Sequence, residues 1–339
     1  MTAELPVVRL TSPGEIAAAL PHLCGFVPTE SLVAVSLRGE RKRIGLTLRF
    51  DLPSIDAMGD GANADEVATR LAHDGASAMV LVVYTDEAGE RPRESLVRAV
   101  IEAVELRGIS VMEGLLVRHG AWSSYTCAHP DCCPPDGTPV PAPVDLLAAT
   151  AAYDGRVVLR DRDELVASLA APALLAARAA EQRLDAAMEA WLTVIDEHGR
   201  EHARADAVAA LRGALAGSGE RGDAALVVPL QDVRVRDEVA TWALDDSEAL
   251  LSLLLRLARE TVAPYDVPVC TLVALVAWVR GDGALANVAL DRALAADPSY
   301  SMAKLFRAGL DGQLPPSAVK QWLRQTRRTL HPGRKRRAA

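Results

Sequence analysis

Ala78-Met-Val-Leu-Val-Val-Tyr84 is an unbroken apolar run. A strand with one wet face alternates apolar and polar residues, so a run this short and this uniform predicts a central strand covered on both sides. The sequence on either side changes period. Upstream, Leu32-Val-Ala-Val-Ser-Leu37 and Ile44-Gly-Leu-Thr-Leu-Arg-Phe50 are β-rich and flank a charged segment over 38–43, which predicts an antiparallel hairpin. Leu48, Phe50 and Leu52 alternate with Arg49 and Asp51, as in a half-buried strand. Pro13, with Glu15 three residues past Ser12, predicts a capped helix through Leu20. Residues 65–74 read as a helix with Val67, Leu71 and Ala72 on one face. Downstream, residues 93–107 form an amphipathic helix with Leu96, Val97, Val100, Ile101 and Val104 together. Gly108 caps it, and residues 109–117 are a further strand. This order predicts an α/β domain with a mixed sheet: one hairpin, and parallel strands joined by right-handed crossovers.

From residue 144 the pattern turns helical. Residues 144–153 are Ala-rich, 156–160 read as a short strand, and Asp161 or Asp163 starts a helix. Pro172 opens a long helical region over 173–198 and 204–215, followed by a Gly217-Ser-Gly-Glu-Arg-Gly222 connector and more helix from 235. The expected division is an α/β domain over 1–171, an all-α domain over 172–312, and a basic, partly disordered tail over 313–339. Pro264 and Pro298 are one tetratricopeptide period apart. That register puts Ala274, Ala286 and Ala293 where paired helices need small side chains, Leu290 at the large apolar position and Gly281 near the turn. The preceding repeat fits poorly, with Arg256 and Arg259 where apolar and small residues belong. A partly tetratricopeptide-like domain and an Ala-rich bundle with coincidental prolines both remain open.

No apolar run approaches the ~20 residues that cross a bilayer, and residues 1–20 lack a secretory h-region. A cytoplasmic protein with reduced thiols is expected. The net charge of −8 hides an asymmetry. Residues 312–339 hold eight Lys and Arg and no acid, leaving 29 basic against 45 acidic residues in the body. Arg334, Lys335, Arg336 and Arg337 are candidate polyanion contacts, with nucleic acid as the partner; a tail folding back on the acidic body is the alternative. Gly59-Asp-Gly61 and Gly281-Asp-Gly283 complete neither a P-loop nor a dinucleotide fingerprint, and no Gly-x-Ser-x-Gly elbow occurs.

The chemistry concentrates in His119-Gly-Ala-Trp-Ser-Ser-Tyr-Thr-Cys-Ala-His-Pro-Asp-Cys-Cys-Pro-Pro-Asp-Gly137, which holds three of the five cysteines. Cys127, Cys132 and Cys133 are candidate zinc ligands, with His129, His119 or Asp131 as the fourth. The spacing is awkward. No Cys-x-x-Cys is present, and neighbouring residues in extended chain point opposite ways, so Cys132 and Cys133 share an ion only in a tight turn imposed by Pro130 and Pro134-Pro135. A redox role would be helped by His129 and opposed by Asp131 and Asp136. A purely structural role, with thiols filling a turn beside Trp122 and Tyr125, is the third reading. Ligands on open sheets sit beyond the carboxyl ends of strands, which here are Thr85-Asp86-Glu87 and Arg118-His119. Asp86, Glu87, Trp122 and Tyr125 are therefore candidate pocket residues. Cys24 and Cys270 read as core. His198 and His202 are one helical turn apart, but Gly199 lies between them and they read as solvated.

Three segments carry a resemblance: Pro21-His-Leu-Cys-Gly-Phe-Val-Pro-Thr-Glu-Ser-Leu-Val33, Thr47-Leu-Arg-Phe-Asp-Leu-Pro53, and Ser124-Tyr-Thr-Cys127 with Cys132-Cys-Pro-Pro-Asp-Gly-Thr-Pro139. Together with Gly281-Asp-Gly-Ala-Leu-Ala-Asn-Val-Ala-Leu290 they resemble an actinobacterial family catalogued as domain of unknown function 4192. The resemblance implies that the loop over 122–139 is a family hallmark, and it brings no catalytic residue. The leading functional expectation is a cytoplasmic, non-catalytic protein-interaction or regulatory module whose helical domain binds a protein or peptide. The alternatives are an enzyme, zinc-dependent or not, with its site at the strand ends and the Cys127–Cys133 loop, and nucleic-acid binding through the basic tail.

Overall fold

The computed structural model describes residues 10–127, 129, 132–143, 158–218 and 222–332. They fall into two compact units that divide between Arg162 and Asp163. The helix expected over 144–153, part of the strand over 156–160, part of the 217–222 connector and Arg334, Lys335, Arg336 and Arg337 lie outside the described residues. Among the described residues no helix is long and apolar enough to cross a membrane.

The first unit is a six-stranded mixed sheet. Its strands are β1 (Ser31–Arg38), β2 (Arg43–Asp51), β3 (Ala78–Tyr84), β4 (Ser110–Arg118), β5 (Ala121–Ser124) and β6 (Thr138–Pro139), in the order β2-β1-β3-β4-β5-β6. Every residue of β3 is buried, as its uniform apolarity requires. β1 pairs antiparallel with β2 and with β3, so β2 and β3 run the same way with a reversed strand between them. Among the six described strands only β3 and β4 are parallel neighbours. The parallel component is thus narrower than the strand order alone suggests, because the first hairpin inserts β1 into the crossover.

Local chemistry sets the helices. In α1 (Pro13–Cys24) a complete capping box forms: Glu15 N–H donates to Ser12 Oγ at 3.2 Å, and Glu15 Oε2 accepts from Ser12 N at 3.3 Å. Gly25 ends the helix in the left-handed region, φ +78°. α2 (Leu52–Met58) is a finding the alternation of residues 48–52 concealed. Pro53 stands in its first turn, and Leu52 and Ile55 turn into the core. α3 (Asp60–His73) begins earlier than residue 65, with Val67 and Leu71 inward. α4 (Glu94–Glu105) crosses from β3 to β4 and buries Leu96, Val97, Val100 and Val104 in one apolar core that also holds Leu71, Leu81 and Val83. Burying each such side chain is worth roughly 1.5–3 kcal/mol relative to exposing it.

The second unit is helical: α5 (Arg162–Ser168), α6 (Leu174–His198), α7 (Arg200–Leu215), α8 (Asp223–Val227), α9 (Val233–Thr241), α10 (Ser247–Arg259), α11 (Asp266–Val279), α12 (Gly283–Ala296), α13 (Ser301–Asp311) and α14 (Pro316–Leu330). α11 buries every one of its residues and forms the centre of the unit. Gly281, at φ +80°, closes the turn into α12. Ala274, Ala286, Ala293 and Leu290 are fully buried in this hairpin. Arg292 ties it down from inside: its guanidinium pairs with Asp266 at 3.1 Å and donates to the carbonyls of Leu169, Ala258 and Thr261. α6 is the opposite case. Over its whole length it buries only Ala180 and Leu184. Gly199 (φ +85°) breaks the chain between α6 and α7, and the His198 and His202 rings stack across the break at the surface.

Candidate thiol site and strand-end cleft

The cysteine segment is built on a hairpin. β4 turns through His119 (φ +50°) and Gly120 (φ +76°) into β5, which runs back along it with Arg118 opposite Ala121 and Leu115 opposite Ser124. Tyr125 N–H donates to Gly114 O at 2.7 Å, and the buried Tyr125 hydroxyl donates to Pro92 O. The chain then leaves the sheet at Cys127. Glu113 governs that departure. Its Oε1 accepts from Ser124 Oγ and Thr126 Oγ1, both at 2.7 Å, and from Gly114 N at 3.0 Å. Ser124 Oγ in turn accepts from the amides of Thr126 and Cys127, both at 3.0 Å.

The return is a tight turn. The amides of Cys132 and Cys133 both donate to His129 O, at 3.2 and 2.8 Å. That turn removes the objection to adjacent cysteines, because the backbone no longer sends their side chains to opposite sides. The three sulfurs of Cys127, Cys132 and Cys133 lie within 4.8 Å of one another, and Cys127 Sγ is 3.2 Å from Cys132 Sγ. A tetrahedral ion with ~2.3 Å metal–sulfur bonds needs sulfurs about 3.8 Å apart, so Cys127 and Cys132, at 3.2 Å, would part by about 0.6 Å to hold it. Among the described residues no His, Asp or Glu ligand atom joins the three. His119 stands at the β4–β5 turn with Nδ1 3.2 Å from Asp86 Oδ1, His129 contributes its carbonyl to the turn, and Asp131 lies outside the described residues. Cys127 is the thiol most ready to ionise. A backbone hydrogen bond at His129, then the neighbouring thiols of Cys132 and Cys133, hold it below the ordinary thiol value. Cys132 is raised, first by its hydrogen bond to Cys127, and Cys133 is pushed up to about 12, first by burial. Cys24 and Cys270 are buried, and desolvation raises both.

A second concavity, of about 350 Å³, opens at the carboxyl ends of β3 and β4. Glu30, Thr85, Asp86, Arg118 and His119 supply its polar wall, and Ala17, Val27 and Val117 are among its apolar residues. Glu30 adopts φ +41°, and its carboxylate accepts from Thr85 Oγ1 and Asp86 N, both at 2.9 Å. Of the four pocket residues expected from sequence, Asp86 lines this cleft. Glu87 instead pairs with Arg93 at 2.7 Å, Tyr125 is buried behind the sheet hairpin, and Trp122 lies against Gly14. The cleft and the thiols are separate places. The cleft is at Arg118, while the thiol segment leaves the sheet beside Gly114, four strand residues or ~13 Å back along β4. Among the described residues, the cleft lining and the three thiols have no residue in common.

Two functional candidates, Glu30 and Glu113, carried no sequence signal of their own. Each is one acid in a strand or turn, and a lone acid there reads as the wet face. Glu30 does fall inside the Pro21–Val33 segment that bears the family resemblance, and Glu113 lies in none of the three.

A family model described as a domain of unknown function, DUF4192, matches residues 13–317. The chain belongs to the DUF4192 family. The match takes in the sheet, the thiol segment, the cleft and most of the helical unit, and stops at residue 317, before Trp322 and before Lys320, the first basic residue of the tail. No curated protein and no solved structure matches the chain. The DUF4192 description names no activity, so the roles of these residues rest on geometry and chemistry.

Proposed function

We propose that this DUF4192 chain is a non-catalytic regulatory module whose α/β unit holds a thiophilic divalent ion, zinc first, at Cys127, Cys132 and Cys133, and whose helical unit engages a protein or peptide. The observation that carries the ion site is the convergence of three sulfurs within 4.8 Å on a hydrogen-bonded turn. Soft thiolates select zinc and its neighbours over hard cations. With three protein ligands, the fourth position falls to water or to a ligand from the loop. A regulatory role fits better than a hydrolytic one because Glu113, the carboxylate that braces the thiol turn, already accepts from Gly114, Ser124 and Thr126 rather than standing ready as a base. The partner-binding half of the reading is supported by α6, whose Leu174, Leu175 and Leu192 stay exposed. Nucleic-acid binding through Arg334 to Arg337 is supported by their charge alone.

Elemental analysis of protein purified without chelator tests the ion site. Stoichiometric zinc in the wild type and its loss in Cys127→Ser, with unchanged far-UV circular dichroism, is the expected result. Less than about half an equivalent, unaltered by that substitution, removes the proposal.

A further inference from the structure

We propose that Cys127 and Cys132 form a reversible disulfide switch in which hydrogen peroxide links the pair and so expels the ion the three thiols hold. The ion-release half rests on the zinc reading above; the disulfide half stands on geometry alone. The two sulfurs are 3.2 Å apart without a covalent bond, and closure to an S–S bond of about 2.05 Å asks for a shift of only about 1.2 Å. Both residues lie beyond the end of β5, in the segment between β5 and β6, so the sulfurs can approach without breaking a ladder pair. Cys132 is exposed and Cys127 is half-buried, which gives a small oxidant access to the pair. Cys133 is also half-buried, and it remains as a third thiol able to attack the new disulfide in exchange. Cys24 and Cys270 are buried and stand outside the cluster, so they serve as internal controls.

The step balances. The Cys127 thiolate attacks one peroxide oxygen, the O–O bond breaks, and the departing hydroxide takes a proton to become water. The resulting sulfenic acid is attacked at sulfur by the Cys132 thiolate, whose Sγ stands 3.2 Å away. The S–S bond forms, the S–O bond breaks, and the second hydroxide takes a proton. Two thiolates, one peroxide and two protons yield one disulfide and two waters, with two electrons passing from sulfur to peroxide. An ion that has lost two of its three thiolates is left with Cys133 alone and is released. A small dithiol reverses the reaction, ending as its own disulfide.

The test treats zinc-loaded and zinc-free full-length protein in parallel with stoichiometric hydrogen peroxide. Released zinc is read with a chromophoric chelator, and linkages by mass spectrometry of non-reduced peptides. The expected result is a Cys127–Cys132 linkage in both samples, loss of bound zinc from the loaded one, and reversal of both by dithiothreitol. Cys133→Ser should keep the linkage and Cys132→Ser should abolish it, while Cys24 and Cys270 stay reduced. If the protein never holds zinc but the linkage forms, the ion site fails and the switch stands. If zinc is held and peroxide gives only sulfinic or sulfonic acid, or links other pairs, the switch is overturned and the ion site stands.

Discussion

Glu113 is an acid within β4, and its reason lies across the hairpin. One of its oxygens gathers Gly114 N, Ser124 Oγ and Thr126 Oγ1, and Ser124 passes the constraint on to the amide of Cys127. Such outer partners fix a ligand's direction before the ion arrives, and their loss commonly costs 10–100-fold in metal affinity. Glu113→Ala should therefore weaken zinc binding by roughly 10–100-fold with the α/β unit still folded, read by competition against a chromophoric chelator. Unchanged affinity would make the brace incidental to the ion. The three thiols were visible in the sequence because cysteine is rare and chemically distinct. The brace was not, since one acid has neither period nor motif, and only the pairing of β4 with β5 shows what it holds. The turn that unites Cys132 with Cys133 was legible as a condition on sharing an ion, from the prolines around it; the bonds that make it, to the His129 carbonyl, were not, since every residue possesses a carbonyl.

Elements whose sequence repeats a period were the legible ones. β3 announces its burial by apolarity, α4 by its stripe, and α1 by its capping box. β5 and β6 were not, because four and two residues are too short to alternate and β6 ends on Pro139. Close approaches between helices were equally unreadable. In α13, Gly309 faces Trp278, whose Cζ3 and Cη2 would stand 3.3 and 2.5 Å from an added Cβ. That indole is held by its Nε1–H to Leu314 O and by edge contacts with Phe306 and Trp322. Alanine in a helix gains ~1 kcal/mol over glycine, but overpacking costs about 1–3 kcal/mol. Gly309→Ala should thus lose stability in urea unfolding, and a gain would mean the indole swings away freely. Glu238 on α9 is a polar counterpart. Burial alone pushes its carboxyl up, yet the Trp242 indole N–H, His331 and Arg212 together outweigh burial and hold it below the ordinary carboxylate value. A depressed folded value means the contribution is present above the unfolded value of about 4.3 and is lost as pH falls through the folded one. Glu238→Gln should cost ~1–3 kcal/mol near neutral pH, and the gap from wild type should close as the solution is acidified below about pH 4. A gap of constant size across that range would assign the cost to shape rather than charge.

At the scale of the molecule, the chain divides into two compact units of different construction, and the proposed ion belongs wholly to the first. A ligand that binds only the folded state stabilises what it binds by RT ln(1 + [L]/Kd), ~2.7 kcal/mol at a hundred times Kd. That energy goes first to the cooperative block containing the site, since proteins open in such blocks rather than uniformly. The block here is β4, β5 and the thiol turn, joined through the β3–β4 ladder to the core under α3 and α4. α11 and α12 have their own closed core and the Asp266–Arg292 lock. Hydrogen exchange followed with and without zinc should show slowed exchange over residues 110–139, smaller slowing over β3 and α4, and none over α10 to α12. Removal of zinc by chelator should reverse it. Slowing spread evenly over both units would mean that they open as one block, and that an event at the thiols reaches any partner held by the helices through shared stability. Slowing confined to the α/β unit would require a direct contact at the thiol segment itself for the same message to pass.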